Sequence, residues 1–167
     1  VMSVSLPMTT YAANWYLEDG SVTVNADNSG QTVTQGGTST PDEAPVITQR
    51  ESSVETGNTI GISTSDNATA NVTIKDINIK SSKDAIDVTG SSSANITLEG
   101  DNKIFSETGS ALHISDGNVT INGSGSLKAE IQDEPFGYNH NAKIGSHEKE
   151  DMSGSIHITG DATVKTD

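Results

Sequence analysis

Four similar hexapeptides decide the fold: NVTIKD at 71–76, NITLEG at 95–100, NVTING at 118–123 and SIHITG at 155–160. Their first residues are 24, 23 and 37 positions apart. Apolar and polar residues alternate in each of them, which is typical of a β-strand with one buried and one solvated face. Self-similarity at such a short step indicates a solenoid, in which each repeat packs only against its neighbours.

Two further alternating segments recur in phase with the hexapeptides. One recurs as TIGIS at 59–63, AIDVT at 85–89 and ALHIS at 111–115. The other is marked by Ile77 and Ile79, then Ile104, Leu127 and Val164. We therefore expect an all-β protein, a parallel β-helix (β-solenoid) of about six coils of 23–24 residues with three short strands each. Stacked coils would bury one continuous column of Ile and Val, so few aromatic residues are needed.

Composition narrows the function classes. The 167-residue chain has 23 acidic and 9 basic residues, a formal net charge of −14 and no cysteine. The acidic balance argues against binding to nucleic acid or to an anionic membrane surface, and the absence of cysteine excludes disulfides and thiolate metal sites. Ile, Val, Leu and Phe together make up 33 of the 167 residues, about 20%, and at this net charge such a content also suits a disordered acidic chain. The regular alternation excludes disorder for residues 44–167.

The ends of the repeat region suggest the domain organisation. Residues 1–13, VMSVSLPMTTYAA, are apolar and uncharged and resemble the end of a secretory signal peptide. An irregular N-terminal strand is the alternative. Residues 14–167 then form a single β-helix domain, in which the 37-residue step predicts an inserted loop at about 130–153. No other stretch is long enough to span a bilayer, so we expect a secreted protein without membrane insertion.

The order of the motifs resembles a known family. SANITLEG, SALHISDGNVTINGSGSLKA, the NAKIGS element and SGSIHITGDATVKTD are similar to repeats of secreted carbohydrate-binding-domain-containing proteins of anaerobic Gram-positive bacteria. The resemblance covers residues 44–167 and is weaker over 15–43, where 21–24 and 32–35 look like a divergent first coil. The corner Ala142-Lys143-Ile144-Gly145 departs from the family's double glycine. The resemblance implies a right-handed, pectate-lyase-like β-helix that binds polysaccharides outside the cell without catalysis, often with calcium.

Acidic and amide side chains follow the hexapeptide strands. The candidate calcium ligands are Asp76, Glu99, Asp101 and Asn122. If the coils superpose, these side chains share one patch, where like charges repel and a divalent ion would relieve the repulsion. A solvated acidic turn balanced by Lys75 explains the same residues without an ion. The acidic insertion is a second candidate for calcium.

The outward positions of the hexapeptides form two predicted rows. The first is an asparagine row that hydrogen-bonds along the stack, formed by Asn71, Asn95 and Asn118. The second is a flat threonine row that would suit a sugar, formed by Thr73, Thr97 and Thr120 and continued by His157.

Aromatic residues are the other expected feature of a sugar site. Trp15 and Tyr16 are interpreted as a cap on the open end of the core. The insertion carries Phe136 and Tyr138 close to His140, and these three are the preferred ligand-binding residues because loops on a rigid scaffold often carry binding sites. A small satellite core beneath the loop would explain the two rings equally well.

The remaining ionisable residues do not predict catalysis or zinc binding. His113 and His157 are interpreted as surface residues, and His140 and His147 lack a cysteine or a close third ligand. A pectate lyase needs a basic residue that removes a sugar proton, but Arg50 lies outside the clear repeats and the lysines are scattered.

We therefore expect an extracellular, non-catalytic protein of the bacterial cell surface that binds a polysaccharide or host glycan, with calcium as the candidate cofactor. One alternative is an adhesin or immunoglobulin-binding module whose partner is a host protein. The other alternative is a polysaccharide lyase.

Overall fold

The computed structural model describes residues 12–132, 141–147, 150 and 154–166. Within these residues the chain is all-β, with one 3₁₀ turn at Leu17–Asp19 and no α-helix. The strands in chain order are β1 (Asn14–Tyr16), β2 (Val22–Asp27), β3 (Gly30–Gln35), β4 (Thr38–Pro41), β5 (Val46–Thr48), β6 (Ile60–Thr64), β7 (Thr69–Lys75), β8 (Asn78–Ser81), β9 (Ile86–Gly90), β10 (Ser93–Glu99), β11 (Asp101–Ser106), β12 (Leu112–Ile114), β13 (Asn118–Gly123), β14 (Ser126–Ile131), β15 (Ile144–Gly145), β16 (Ser155–Ile158) and β17 (Thr163–Thr166). The described part of the chain contains no helix long and apolar enough to cross a membrane.

The strands form three sheets. The first sheet, β1-β5-β7-β10-β13-β16, and the second, β8-β11-β14-β17, are parallel throughout. The third has the order β15-β12-β9-β6-β2-β3-β4, parallel from β15 to β2 and antiparallel beyond. From β7 to β15 the chain visits the first, second and third sheets in turn and then returns to the first. This cyclic order gives a solenoid-like stack of parallel strands, and it confirms the all-β, parallel-sheet prediction.

The inward side chains of neighbouring strands stack into a continuous aliphatic core. Val72, Ile96 and Ile121 lie opposite one another on β7, β10 and β13, and each is at most 3% exposed. Burial of a side chain of this size contributes about 1.5–3 kcal/mol, so the stacked columns supply most of the stability of each repeat. None of the buried hydrophobic residues in the described part of the chain is aromatic, in agreement with the sequence analysis.

Most of the predicted strand partners are confirmed. Asn71 lies opposite Asn95, and Asn118 lies opposite Ser155, at the predicted steps of 24 and 37 residues. In the third sheet the second repeating segment also pairs as expected, with Ile86 between its partners on β6 and β12.

Two predicted registers are wrong by two residues. In the second sheet the sequence aligns Leu127 with Ile104, whereas the structure places Ala129 opposite Ile104 and Leu127 opposite Asn102.

The first sheet shows the same shift. The sequence alignment places Asn118 beside Asn95, whereas the structure places Thr120 there. A shift of two residues keeps every apolar side chain on the inner face, so the alternation does not distinguish the two registers. The last residue of β13 is a glycine that suits the observed register. Gly123 has a φ of 102° and lies opposite Leu98, where a Cβ atom would be 2.3 Å from the Leu98 carbonyl oxygen.

The first predicted coil is partly a hairpin. Residues 32–35 belong to β3, which pairs antiparallel with β2 at the edge of the third sheet. Only residues 28 and 29 join the two strands, and a connection that short cannot make a parallel crossover. Gln31, which is 2% exposed, ties the hairpin to the first sheet: its Nε2 donates to the Asn71 carbonyl oxygen at 3.0 Å, and its Oε1 accepts the Asn71 N–H at 2.8 Å.

Two boundaries of the predicted domain are visible in the described residues. Ala13, inside the predicted signal remnant, donates its N–H to Asp42 Oδ2 and accepts the Val46 N–H, so it is hydrogen-bonded to the domain. Inside the predicted insertion at 130–153, Ile144 lies opposite Leu112 in the third sheet. The segment read from the sequence as a corner is therefore a strand, β15.

The aromatic pair near the start of the chain divides between the core and the surface. Trp15 packs against the aliphatic core, and its Nε1 donates to Asp42 Oδ2 at 2.9 Å. Tyr16 instead lies beneath the Arg50 guanidinium, whose Cζ is 4.0 Å from the centre of the Tyr16 ring. Of the two rings, Trp15 is therefore the one that packs against the core, and a cap on the open end of the core stays a prediction.

Replacing Ile96 by Asp should destabilise the protein by about 4 kcal/mol, because it places an unpaired charge in the stacked column. Thermal unfolding followed by circular dichroism measures the loss. The control is Asn71→Asp, which adds the same charge on the outer face of the same sheet and keeps an acceptor oxygen for Asn95. If the Ile96→Asp variant melts with the parent protein, the inward face of β10 is wrongly assigned.

Candidate functional site

The predicted threonine row is only partly correct. Thr73 and Thr97 lie opposite each other on the outer face of the first sheet, and Asn122 takes the next place. Thr97 Oγ1 donates to Asn122 Oδ1 at 2.9 Å. Because of the two-residue register shift, Thr120 lies in the adjacent row, opposite Asn95. The flat hydroxyl row expected from the sequence is therefore a mixed row of hydroxyls and amides.

The predicted asparagine row is correct for two of its three members. Asn95 Nδ2 donates to Asn71 Oδ1 at 3.0 Å. Asn118 stands outside the row and accepts a hydrogen bond from Ser155 Oγ at 2.8 Å. The polar side chains of this face thus hydrogen-bond to one another along the stack, which leaves fewer of their groups for a ligand.

Three of the four predicted calcium ligands meet at one corner. Asp76 Oδ1 accepts the Asp101 N–H at 3.1 Å, and Glu99 Oε2 lies 3.3 Å from Lys75 Nζ. Asn122 is not at this corner, since the register shift places it on the outer face of the first sheet. Their carboxylates do not form a compact ligand group of the kind found elsewhere in the described chain. Calcium binding at this corner stays a prediction.

The other predicted ligand-binding residues, Phe136, Tyr138 and His140, lie outside the described residues. Their part in ligand binding also stays a prediction.

The outer face of the second sheet carries a row of lysines. Lys103, Lys128 and Lys165 lie opposite one another on β11, β14 and β17. Adjacent strands are about 4.8 Å apart, so the three side chains stand side by side. They border a groove of about 400 Å³. The interpretation of the lysines as scattered is wrong for these three, because their alignment depends on a strand register that sequence spacing does not show.

Phe105 lies beside this lysine row on the same face. It is half-buried on β11, opposite Lys80 on β8 and Glu130 on β14. Lys80 Nζ is 5.7 Å from the centre of the Phe105 ring. This ring is not among the predicted site residues, although Ile104 marks the inward face of the strand and the alternation therefore places Phe105 outward.

The outer face of the second sheet, called the lysine face below, concentrates positive charge. Four of the nine basic residues of the chain lie on it, together with the acidic residues Asp101 and Glu130: Lys80, Lys103, Lys128 and Lys165. Glu130 Oε1 lies 3.0 Å from Lys128 Nζ, and Glu55 Oε2 lies 3.9 Å from Lys80 Nζ. These pairs are exposed and contribute little stability, yet like charges directly opposite on adjacent strands are destabilising. Packing therefore gives no reason for the row.

A second group of side chains, called the histidine cluster below, lies on the outer face of the third sheet. It consists of Asp84, Asp87, His113, His147 and Glu150. His113 Nδ1 is 2.7 Å from Asp87 Oδ1, and His113 Nε2 is 2.9 Å from Glu150 Oε2. His147 Nε2 is 2.8 Å from Asp84 Oδ1. The two imidazole rings stack with their centres 3.9 Å apart and their planes 11° apart. The cluster joins residues that are 63 positions apart in the sequence.

The cluster corrects the interpretation of His113 as a surface residue, because its side chain is only 8% exposed. Burial, the largest influence, lowers the pKa of His113, but hydrogen bonds with Asp87 and Glu150 outweigh it and raise the pKa above its ordinary value. The hydrogen bond with His113 in turn lowers the pKa of Glu150. One signal was available in the sequence, since Asp87 and His113 occupy the same position of successive AIDVT and ALHIS segments.

Comparison of the chain with protein-family models, with curated proteins and with solved structures finds no match in any of the three. The resemblance to secreted carbohydrate-binding β-helix proteins therefore stays a prediction.

If calcium binds at the predicted corner, millimolar calcium should raise the melting temperature and EDTA should reverse the effect. A ligand at a hundredfold excess over its dissociation constant stabilises the native state by about 2.7 kcal/mol. Asp101→Asn should reduce the rise in melting temperature, although its side chain still accepts the hydrogen bond from Ser126 Oγ. The control is Asp66→Asn, which removes one carboxylate from a different turn. Identical melting curves with calcium and with EDTA would show that the prediction of calcium binding is wrong.

Proposed function

We propose that the protein is an extracellular, non-catalytic module that binds acidic polysaccharides on the lysine face. Its scaffold in this proposal is a right-handed parallel β-helix of about six coils, with three short strands in a full coil. The observation that carries the proposal is the in-register stacking of Lys103, Lys128 and Lys165, which sets three ammonium groups side by side on one face although the net charge of the chain is −14.

The regular return of the chain supports the scaffold. Strand partners are 24, 25 and 26 residues apart between β7 and β10, between β8 and β11, and between β9 and β12. Such a constant step through three sheets is what a coil of nearly constant circumference requires. Connections that return to a parallel strand of the same sheet are right-handed in nearly all proteins, which supports the proposed hand.

The spacing of the lysine row supports a polymeric anion. The row repeats one ammonium group per strand, about every 4.8 Å along the stack. An extended chain of uronic acids repeats one carboxylate per sugar over a comparable length, so successive sugars would meet successive lysines. Binding would also relieve the repulsion between the lysines, which is otherwise a cost to the fold.

Phe105 supports a sugar over other anions. A uronic acid offers both a carboxylate and an apolar face of C–H groups, and an aromatic ring beside cationic groups complements both. The half-buried ring of Phe105 lies in the row next to the lysine row, within reach of the same sugar chain.

Removing two charges from the lysine row should weaken binding to polygalacturonate at least tenfold, about 1.4 kcal/mol. The variant is Lys103→Gln with Lys165→Gln, and affinity electrophoresis or calorimetry measures the change. Parent binding should weaken as ionic strength rises from about 0.01 M to about 0.15 M, which shortens the Debye length from ~30 Å to ~8 Å. Highly methyl-esterified pectin, whose carboxylates are blocked, should bind poorly.

The matched control is Lys75→Gln with Lys83→Gln, which removes the same charge away from the lysine face. It should bind almost as well as the parent, and the polymer should be recovered at its original length. If the Lys103 and Lys165 variant binds like the parent while Tyr138→Ala does not, the ligand binds at the predicted insertion and the lysine face is the wrong site.

Phe105→Ala should lower polygalacturonate affinity several-fold and leave its salt dependence unchanged, because the ring contributes stacking rather than charge. Phe105→Tyr keeps the ring and serves as the control. Equal losses in both variants would mean that the ring does not contact the sugar. Melting curves of both variants show whether any loss comes from unfolding.

A further inference from the structure

We propose that the histidine cluster is a binding site for one Zn²⁺ ion, which would tie His147 to the third sheet. The site is independent of the proposed function, because the lysine face lies on a different sheet. One ligand atom from each of Asp84, His113 and His147 lies within 4.8 Å of the other two. Within the described ranges, no other group of three or more His, Cys, Asp or Glu side chains meets this condition.

The ring nitrogens face carboxylates on two opposite sides. On one side, His113 Nδ1 lies 2.7 Å from Asp87 Oδ1 and 4.0 Å from Asp84 Oδ2, and His147 Nε2 lies 2.8 Å from Asp84 Oδ1. On the other side, Glu150 oxygens lie 2.9 Å from His113 Nε2 and 3.7 Å from His147 Nδ1. A cation between the rings and the aspartates would be within reach of two nitrogens and two carboxylates. Because the two rings are stacked with their planes 11° apart, they would have to tilt toward each other for both nitrogen lone pairs to meet one ion.

Glu150 has the position of a carboxylate that orients metal-bound histidines. An imidazole that binds a metal through one nitrogen commonly donates the N–H of the other to a carboxylate, which fixes the tautomer and the ring orientation. Protons on His113 Nε2 and His147 Nδ1 would both point toward Glu150. The lone pairs of the remaining two nitrogens would then point toward Asp84 and Asp87.

The sheet holds part of this ligand set in place and leaves room above it. Asp87 and His113 lie directly opposite each other on the paired strands β9 and β12. The next residues of the same row are Gly61 on β6 and Gly145 on β15, which carry no side chain. The backbone therefore fixes the spacing of two donors, and the neighbouring positions do not crowd them.

The donor types select the metal. Imidazole nitrogens with carboxylate oxygens suit Zn²⁺, which most often takes four ligands in a tetrahedral arrangement. Calcium takes six to eight oxygen ligands, so two imidazoles disfavour it. The histidine cluster and the predicted calcium corner therefore differ in ion preference as well as in position.

Calorimetric titration of the untagged chain with Zn²⁺ at neutral pH tests the proposal. We expect one ion per chain, with a dissociation constant below about 10 μM, about −7 kcal/mol. His147→Gln should weaken binding at least tenfold, and His157→Gln, which removes an exposed histidine of the first sheet, should leave it unchanged. Zn²⁺ should raise the melting temperature of the parent protein. The same concentration of Ca²⁺ should not displace the bound Zn²⁺.

Cobalt provides a second readout, since Co²⁺ in a site with nitrogen ligands gives visible absorption bands that Zn²⁺ should abolish by displacement. Asp87→Asn should shift these bands, and circular dichroism shows whether each variant is folded. His147 is the primary position because its side chain is 30% exposed and its replacement leaves the core intact. Absence of Zn²⁺ binding by the folded parent, or equal binding by His147→Gln, would overturn the proposal and leave the cluster as a metal-free hydrogen-bonded contact.

Discussion

In-register parallel pairing is the constraint on which the rest of this structure depends. Apart from the antiparallel pairs β2–β3 and β3–β4, each strand is hydrogen-bonded in parallel to a strand one repeat away, so each of its side chains lies against a side chain of the next repeat. On the inner face this places Ile and Val on one another, and among the described residues it builds a core in which no aromatic ring is fully buried. A shift of one residue would turn that column toward water, which is why the inward face is so strongly specified.

The same constraint acts on the outer faces, where a residue type that recurs at one position of successive repeats forms a row along the stack. Amides placed in this way satisfy one another, as Asn71 and Asn95 do. Lysines placed in this way repel, and Lys103, Lys128 and Lys165 are kept in register despite that cost. A solenoid therefore turns a single basic position per repeat into a linear array of charge, and a linear polyanion is the ligand that such an array complements.

The histidine cluster depends on a different kind of contact. Its two halves come from the regular stack, which supplies Asp87 and His113, and from the longest step between repeats, which supplies His147 and Glu150. The stack alone would leave His113 with one carboxylate on an open sheet face. The returning segment buries the His113 imidazole and places the Glu150 carboxylate beside its second nitrogen, so that both ring nitrogens face a carboxylate. The chemistry of this site therefore depends on where that segment packs against the third sheet.

The sequence by itself determined the strand pattern, the inward residues such as Ile96 and the parallel stacking, because alternation and repeat length are local properties that survive in any register. Tertiary structure decided which side chains of different repeats lie next to each other. A two-residue slip preserves the apolar face, so the sequence did not show that Thr120 lies opposite Asn95 and Asn122 opposite Thr97. The lysine row and the contact between His147 and Asp84 were invisible for the same physical reason, since they join residues that only strand register and chain return bring together.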